Sequence, residues 1–148
     1  MCEYTYIQLY NKEVIMNGYT ELKKFESNLN KIARYLTEGR FNSSEIAVLD
    51  AIRCEPKTIK EIADCIGMSK PTVHTCLMTL LRRKHIKILE DKESGSYIYK
   101  AINVSDKDIL EEILTPLNQA ERENFMGYVE ILNNYFSEIR NLKSDGVV

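Results

Sequence analysis

Apolar positions along this 148-residue chain change rhythm from helical to strand-like and back. From Thr20, the residues Leu22, Phe25, Leu29, Ile32 and Leu36 recur at three- and four-residue steps, which predicts one apolar helix face. Gly39 ends that helix. Asn42 followed by Glu45 opens a second helix carrying Ile46, Leu49 and Ile52, and Pro56 terminates it. Thr58 with Glu61 forms a capping box ahead of Ile59, Ile62, Ala63 and Ile66, and Gly67 stops this short helix. Ser69 is the next N-cap, with Pro71 in the first turn where a missing N–H is tolerated. Its helix turns Val73, Leu77, Leu80 and Leu81 inward.

After Lys84 the period becomes that of strands. Ile86-Lys87-Ile88-Leu89 and Tyr97-Ile98-Tyr99-Lys100-Ala101-Ile102 flank a polar, glycine-containing loop from Asp91 to Ser96, which predicts a β-hairpin with a mobile tip. Ser105 is the expected cap of a helix with Ile109, Leu110, Ile113 and Leu114, broken at Pro116. Asn118 with Glu121 caps the last helix, where Phe125, Val129, Leu132, Phe136, Ile139 and Leu142 form a heptad-like stripe. Residues 4–19 leave two readings open. Tyr4-Thr5-Tyr6-Ile7-Gln8-Leu9-Tyr10 is rich in strand formers, yet Asn11-Lys12 is a poor hairpin turn. An arm that orders only against a partner chain fits equally well.

Two short helices joined by Gly67-Met68-Ser69 and followed at once by a hairpin have the order of a winged helix-turn-helix. The major groove of DNA, roughly 12 Å wide, admits one α-helix, so the second helix must offer polar groups on its outer face. Setting Val73 and Leu77 inward at the helical period leaves Thr72, Thr75, Met78, Thr79 and Arg82 outward. Ser69 and Lys70 stand at its start, His74 lies on one flank and Arg83 near the other. This face of hydroxyls, methyls and cations suits phosphates, base edges and thymine methyls.

Charge sharpens this picture. The whole chain carries a net charge of −2, which excludes a polybasic protein. Between Lys57 and Lys100, however, nine Lys and Arg face five Asp and Glu, a net +4, and the remainder is acidic at −6. Positive charge is therefore gathered on the helix-turn-helix and wing.

These residues carry a family resemblance. Ile59-Lys60-Glu61-Ile62-Ala63-Asp64-Cys65-Ile66-Gly67-Met68-Ser69-Lys70-Pro71-Thr72-Val73, then the hairpin and Asn103-Val104-Ser105, resemble the MarR family of bacterial and archaeal transcription regulators. The resemblance covers roughly residues 20–142, with a winged helix at about 43–104, a helix-turn-helix at 58–84 and a wing at 86–102. It implies a mainly α fold with a small β-hairpin wing, flanked by dimerisation helices at about 20–38 and 106–142. It further implies a homodimer bound to a pseudo-palindromic site on double-stranded DNA, commonly as a repressor that a small effector releases. Leu22, Phe25, Leu29, Phe125, Val129, Leu132, Phe136 and Ile139 are then the dimer-forming positions.

The wing departs from the family pattern. An Asp-x-Arg motif commonly places its arginine in the minor groove, but here Asp91 is followed by Lys92 and Glu93. Lys92 is the one cation at the tip, so the wing is expected to touch phosphate more than bases. Glycine is usual between recognition helix and wing, and His85 stands there instead, a residue that tolerates left-handed backbone better than most.

Other chemistry has little support. Cys2, Cys54, Cys65 and Cys76 include no Cys-x-x-Cys pair, and cysteines scattered along helices are usually small buried apolar residues. Their usage and the lack of a basic, apolar leader point to a reducing cytoplasm. No apolar run approaches the ~20 residues of a membrane span. His74 and Cys76, with Cys65 and His85 nearby in sequence, fit no common zinc spacing. A peroxide-sensing role for Cys2 beside Tyr4 and Tyr6 has only its position to recommend it. There is no Gly-rich phosphate loop and no nucleophile elbow, so an enzyme is not expected, and neither a cofactor nor a metal. The competing reading is a winged helix used for protein contacts, for example an antagonist docking on another regulator.

Overall fold

The computed structural model describes the backbone of residues 3–90, 96–102 and 108–144, and side chains within 17–90, 96–102 and 108–141. Cys2, the wing-tip residues Asp91, Lys92 and Glu93, and the Asn103-Val104-Ser105 segment lie outside these residues. So do the side chains of Tyr4, Tyr6 and Leu142.

Nine elements follow one another: α1 (Glu3–Leu36), α2 (Ser43–Arg53), β1 (Lys57–Thr58), α3 (Ile59–Ile66), α4 (Lys70–Arg82), β2 (Ile86–Glu90), β3 (Tyr97–Ala101), α5 (Ile109–Ile113) and α6 (Gln119–Ser144). Two compact units result, residues 1–107 and 108–148.

The first correction concerns residues 4–19, which are not a strand but the first half of α1. Strand propensity is a weak preference that context overrides. No proline interrupts the segment, and once the downstream helix has nucleated, each added residue gains a hydrogen bond at low entropic cost. Helix α1 also ends earlier than expected, at Leu36. A turn follows in which Glu38 and Gly39 both adopt left-handed backbone, φ 55° and 78°. Buried Thr37 anchors this turn, donating its hydroxyl to Ala33 O at 2.9 Å and accepting from Phe41 N at 3.2 Å.

The expected caps of α2, α3 and α4 are all present. Asn42 and Glu45 exchange reciprocal bonds of 2.9 and 2.8 Å, Thr58 and Glu61 bonds of 3.1 and 3.2 Å. Gly67 closes α3 in left-handed backbone at φ 68°, and the Ser69 side chain accepts from Thr72 N. Together these place α3 and α4 as the helix-turn-helix. Their inner faces pack with α2 and the sheet around Val48, Ile52, Ile62, Val73, Leu77, Leu80 and Ile86, each at most 2% exposed.

The hairpin forms with Ile86 opposite Ala101 and Glu90 opposite Tyr97. It is part of a three-stranded antiparallel sheet in the order β1-β3-β2, the third strand being the two residues Lys57 and Thr58. Lys57 ties this strand back to α2 through a 2.6 Å bond to Ala51 O. The left-handed residue between α4 and the wing is Lys84 at φ 65°, not His85. His85 is one step into the wing, half-buried with its ring edge-on to Phe41 at 4.8 Å.

In the second unit Asp108 caps α5, its side chain accepting from Glu111 N at 3.2 Å, in the role expected of Ser105. Asn118 and Glu121 form the expected reciprocal cap at the start of α6, with bonds of 3.0 and 2.9 Å. Arg122 folds back onto the carbonyls of Leu114 and Leu117, closing the turn between α5 and α6.

Candidate nucleic-acid interface

The register of α4 agrees with its apolar spacing. Val73, Cys76, Leu77 and Leu80 are buried, and Ser69, Lys70, Thr72, His74, Thr75, Met78, Arg82 and Arg83 are exposed, with Thr79 half-buried. The outer face thus gathers nine of the ten residues singled out for DNA contact. The tenth, Lys92, lies outside the described residues.

Hydrogen bonding alters what the hydroxyls can offer. Thr75 Oγ1 donates to Pro71 O at 3.1 Å, and Thr79 Oγ1 donates to Thr75 O at 3.2 Å. Ser69 and Thr72 share a hydroxyl–hydroxyl bond of 2.7 Å while Ser69 caps the helix. A hydroxyl has one proton, so in this arrangement Thr75 and Thr79 present lone pairs and methyl groups rather than donors. They match base amino groups and thymine methyls better than phosphates. Cationic donors on this face include Lys70 and Arg82, whereas at the start of α4 Pro71 has no N–H and the amides of Thr72 and Val73 are taken by Ser69.

Arg83 is partly committed elsewhere. Its Nη1 donates to Arg40 O at 2.7 Å, tying the end of α4 to the turn after α1. Two further cations were not among the expected contacts. Lys87 and Lys100 are directly opposed across β2 and β3, and both are exposed. Like charges at opposed positions destabilise a sheet unless an anion lies nearby. Their signal was present in the local charge excess, but only the register brings the two together.

Of the cysteines, Cys54 and Cys65 are exposed and Cys76 alone of the three is buried, which corrects the expectation of buried thiols for the first two. Cys54 sits at the C-cap of α2 and Cys65 on the outer face of α3, positions that packing does not cover. Burial pushes the Cys76 thiol up from its ordinary value, and the nearby Glu45 carboxylate adds to the effect. Among the described residues, no group of three or more His, Cys, Asp or Glu could hold a metal ion. No helix among them is long and apolar enough to cross a membrane.

The positions expected to form a dimer lie on α1 and α6. Leu22, Phe25, Leu132, Phe136 and Ile139 are exposed, and Leu29, Phe125 and Val129 are half-buried.

Comparison with known proteins agrees with this geometry. Residues 46–86, from α2 to the start of β2, match the IclR helix-turn-helix domain. No curated protein sequence matches the chain significantly. Among solved structures, the chain is similar to the PcaV transcriptional regulator from Streptomyces coelicolor bound to its natural ligand. That likeness has a TM-score of 0.67 at 15% identity, over 82% of this chain and 94% of PcaV. A mutant MarR from E. coli complexed with operator DNA gives a TM-score of 0.61 at 15% identity, over 81% of this chain and 95% of that one. The MepR–DNA complex from S. aureus gives 0.59 at 16% identity, over 80% and 95%. The chain is accordingly a winged helix-turn-helix protein with the fold of the MarR-type transcriptional regulators, its helix-turn-helix segment matching that of the IclR type.

Proposed function

We propose that this protein is a sequence-specific DNA-binding transcriptional regulator that acts as a homodimer, most simply as a repressor on a pseudo-palindromic operator. The observation that carries this reading is the division of α4, whose inner face is fully buried while Thr72, Thr75, Met78 and Arg82 stand exposed. A helix held this firmly, with an outer face of acceptors, methyls and cations, is built to enter a major groove. Lys70, Lys87 and Lys100 add phosphate contacts that fix its register without reading bases. The solved MarR and MepR complexes with DNA support the reading for chains of this fold.

Dimerisation is supported by the uncovered apolar residues of α1 and α6. Each large apolar side chain left in water forfeits roughly 1.5–3 kcal/mol, which a second copy would recover. Such a regulator works beside the chromosome in the cytoplasm, where exposed Cys54 and Cys65 stay reduced. Release by a small effector completes the proposed cycle.

Selection of bound duplexes from a random DNA library tests the reading. The expected outcome is a pseudo-palindrome whose half-sites lie about one helical turn, roughly 10 base pairs, apart. Recovery of no motif, together with capture of a protein partner by the α4 face, would replace DNA with a protein as the ligand of this winged helix.

A further inference from the structure

The connection between α4 and the wing is gripped by the turn after α1. That connection is three residues, Arg83, Lys84 and His85, with Lys84 in left-handed backbone at φ 65°. The turn meets it at both ends. Arg83 Nη1 donates to Arg40 O at 2.7 Å, across 43 residues of sequence. Two positions on, the His85 ring lies edge-on to Phe41, with 4.8 Å between centroids. Arg83 ends the recognition helix and His85 begins the wing, so adjacent residues of one turn hold both.

The turn is itself built to stay in place. Glu38 and Gly39 in succession take left-handed backbone, at φ 55° and 78°, a conformation that costs a glutamate free energy. Such a conformation persists only where the surrounding contacts over-determine it. Thr37, 4% exposed, supplies them: its hydroxyl donates to Ala33 O and accepts from Phe41 N. Arg40 Nε donates to Thr37 O at 3.0 Å, which leaves the Arg40 carbonyl to receive Arg83.

We propose that Arg83 is a positioning residue for DNA recognition rather than a DNA contact, and that with the Phe41–His85 pair it fixes the angle of α4 and the wing against α1. Because α1 carries part of the proposed dimer surface, that angle sets the separation of the two recognition helices. It thereby sets the half-site spacing that the dimer selects. One inserted base pair moves a half-site by about 3.4 Å and turns it by roughly 35°, so a rigid mount discriminates strongly and a loose one weakly. Only the spacing claim rests on the function proposed above; the clamp itself does not.

Two measurements on the full chain test this, with wild type, Arg83→Ala and Phe41→Leu. Arg83 is exposed, and leucine keeps an apolar group at half-buried Phe41, so both variants should fold. Without DNA, the amides of Lys84 and His85, bonded to Leu81 O and Leu80 O, should exchange hydrogen at least about threefold faster in both variants. With DNA, affinity is measured across a salt series on duplexes carrying the selected half-sites at the preferred separation and at one base pair more and less. Both variants should bind the preferred duplex roughly three- to tenfold more weakly and discriminate less among the three. Their salt slope should match wild type, because no phosphate contact is lost. Arg83→Ala that loses about one unit of slope while keeping the wild-type separation preference would make Arg83 a phosphate contact and overturn the proposal. So would wild-type exchange rates at Lys84 and His85 in both variants. Wild type that binds no duplex would defeat the DNA reading alone, since exchange in the free chain still decides the clamp.

Discussion

In the winged helix, Val48, Ile62, Val73, Leu77 and Leu80 are completely covered, whereas the same kinds of side chain on the long helices lie open. Leu22 on α1 is 67% exposed and Phe136 on α6 is 56% exposed. Both regions have apolar residues at helical spacing, so pattern alone does not distinguish them. The difference is in what each has to pack against. Helices α2, α3 and α4 and the three-stranded sheet close on one another within a single chain. The apolar stripes of α1 and α6 have more surface than this chain covers, and that surplus is the physical basis for expecting a second copy.

The largest effect should therefore come from charging the open stripe. Leu132→Glu combined with Phe136→Glu should raise the dimer dissociation constant by at least about 100-fold, since each residue contributes roughly 1.5–3 kcal/mol when buried. Sedimentation at micromolar concentration reads this directly: dimer for wild type, monomer for the double variant. A wild type that sediments only as monomer would show that the two regions do not differ in the way described.

Within the winged helix the contrast runs across α4. Val73→Ala opens a cavity beneath the helix and should lower unfolding free energy by about 1–3 kcal/mol. Thr75→Ala, on the outer face, should change it by less than about 0.5 kcal/mol yet weaken DNA binding. Urea denaturation of both variants checks the phase of the helix. A smaller effect is expected at its start. Ser69→Ala removes the acceptor for Thr72 N, and losing such a cap costs about 1 kcal/mol.

The smallest effect is alkaline. Burial raises the Cys76 thiol above its ordinary value of 9.0 and the Tyr99 hydroxyl above 10.0. Well below pH 9.0 both states keep the thiol proton and its contribution is constant; as pH rises through 9.0 the unfolded chain loses that proton first, so stability falls. Cys76→Ala should reduce the decline of the melting temperature just above pH 9.0, leaving the Tyr99 component at higher pH.

Caps and core were legible in the sequence because they are local or periodic. Asn42–Glu45, Thr58–Glu61 and Asn118–Glu121 each declare a helix start in four residues, and Val73 and Leu77 fix the face of α4. What escaped depends on tertiary context. The two-residue strand β1 has no period to read, and it exists because β3 lies beside it. The left-handed residue before the wing is Lys84, since the α4 cap at Arg83 and the start of β2 decide the position rather than the identity of His85. The candidate interface was readable as a set of side chains but not in its chemistry, because bonds to Pro71 O and Thr75 O decide that two threonines act as acceptors. Glu45 shows the limit most clearly. Its spacing from Asn42 predicts one oxygen's role, and only tertiary packing leaves the other buried without a hydrogen-bond partner.

The central claim, that the exposed face of α4 is a DNA-binding surface, is tested most directly by a salt titration. Affinity for a selected operator duplex and for a scrambled one would be measured by fluorescence anisotropy across a salt series, for wild type and Arg82→Ala. The account predicts that wild type prefers the operator and that its log–log plot has a steep negative slope, from release of counterions as phosphates are neutralised. Arg82→Ala should bind more weakly and, if its guanidinium meets a phosphate, lose about one unit of slope. Wild-type binding that is absent at low salt, or operator affinity equal in Arg82→Ala and wild type at every salt concentration, would contradict it.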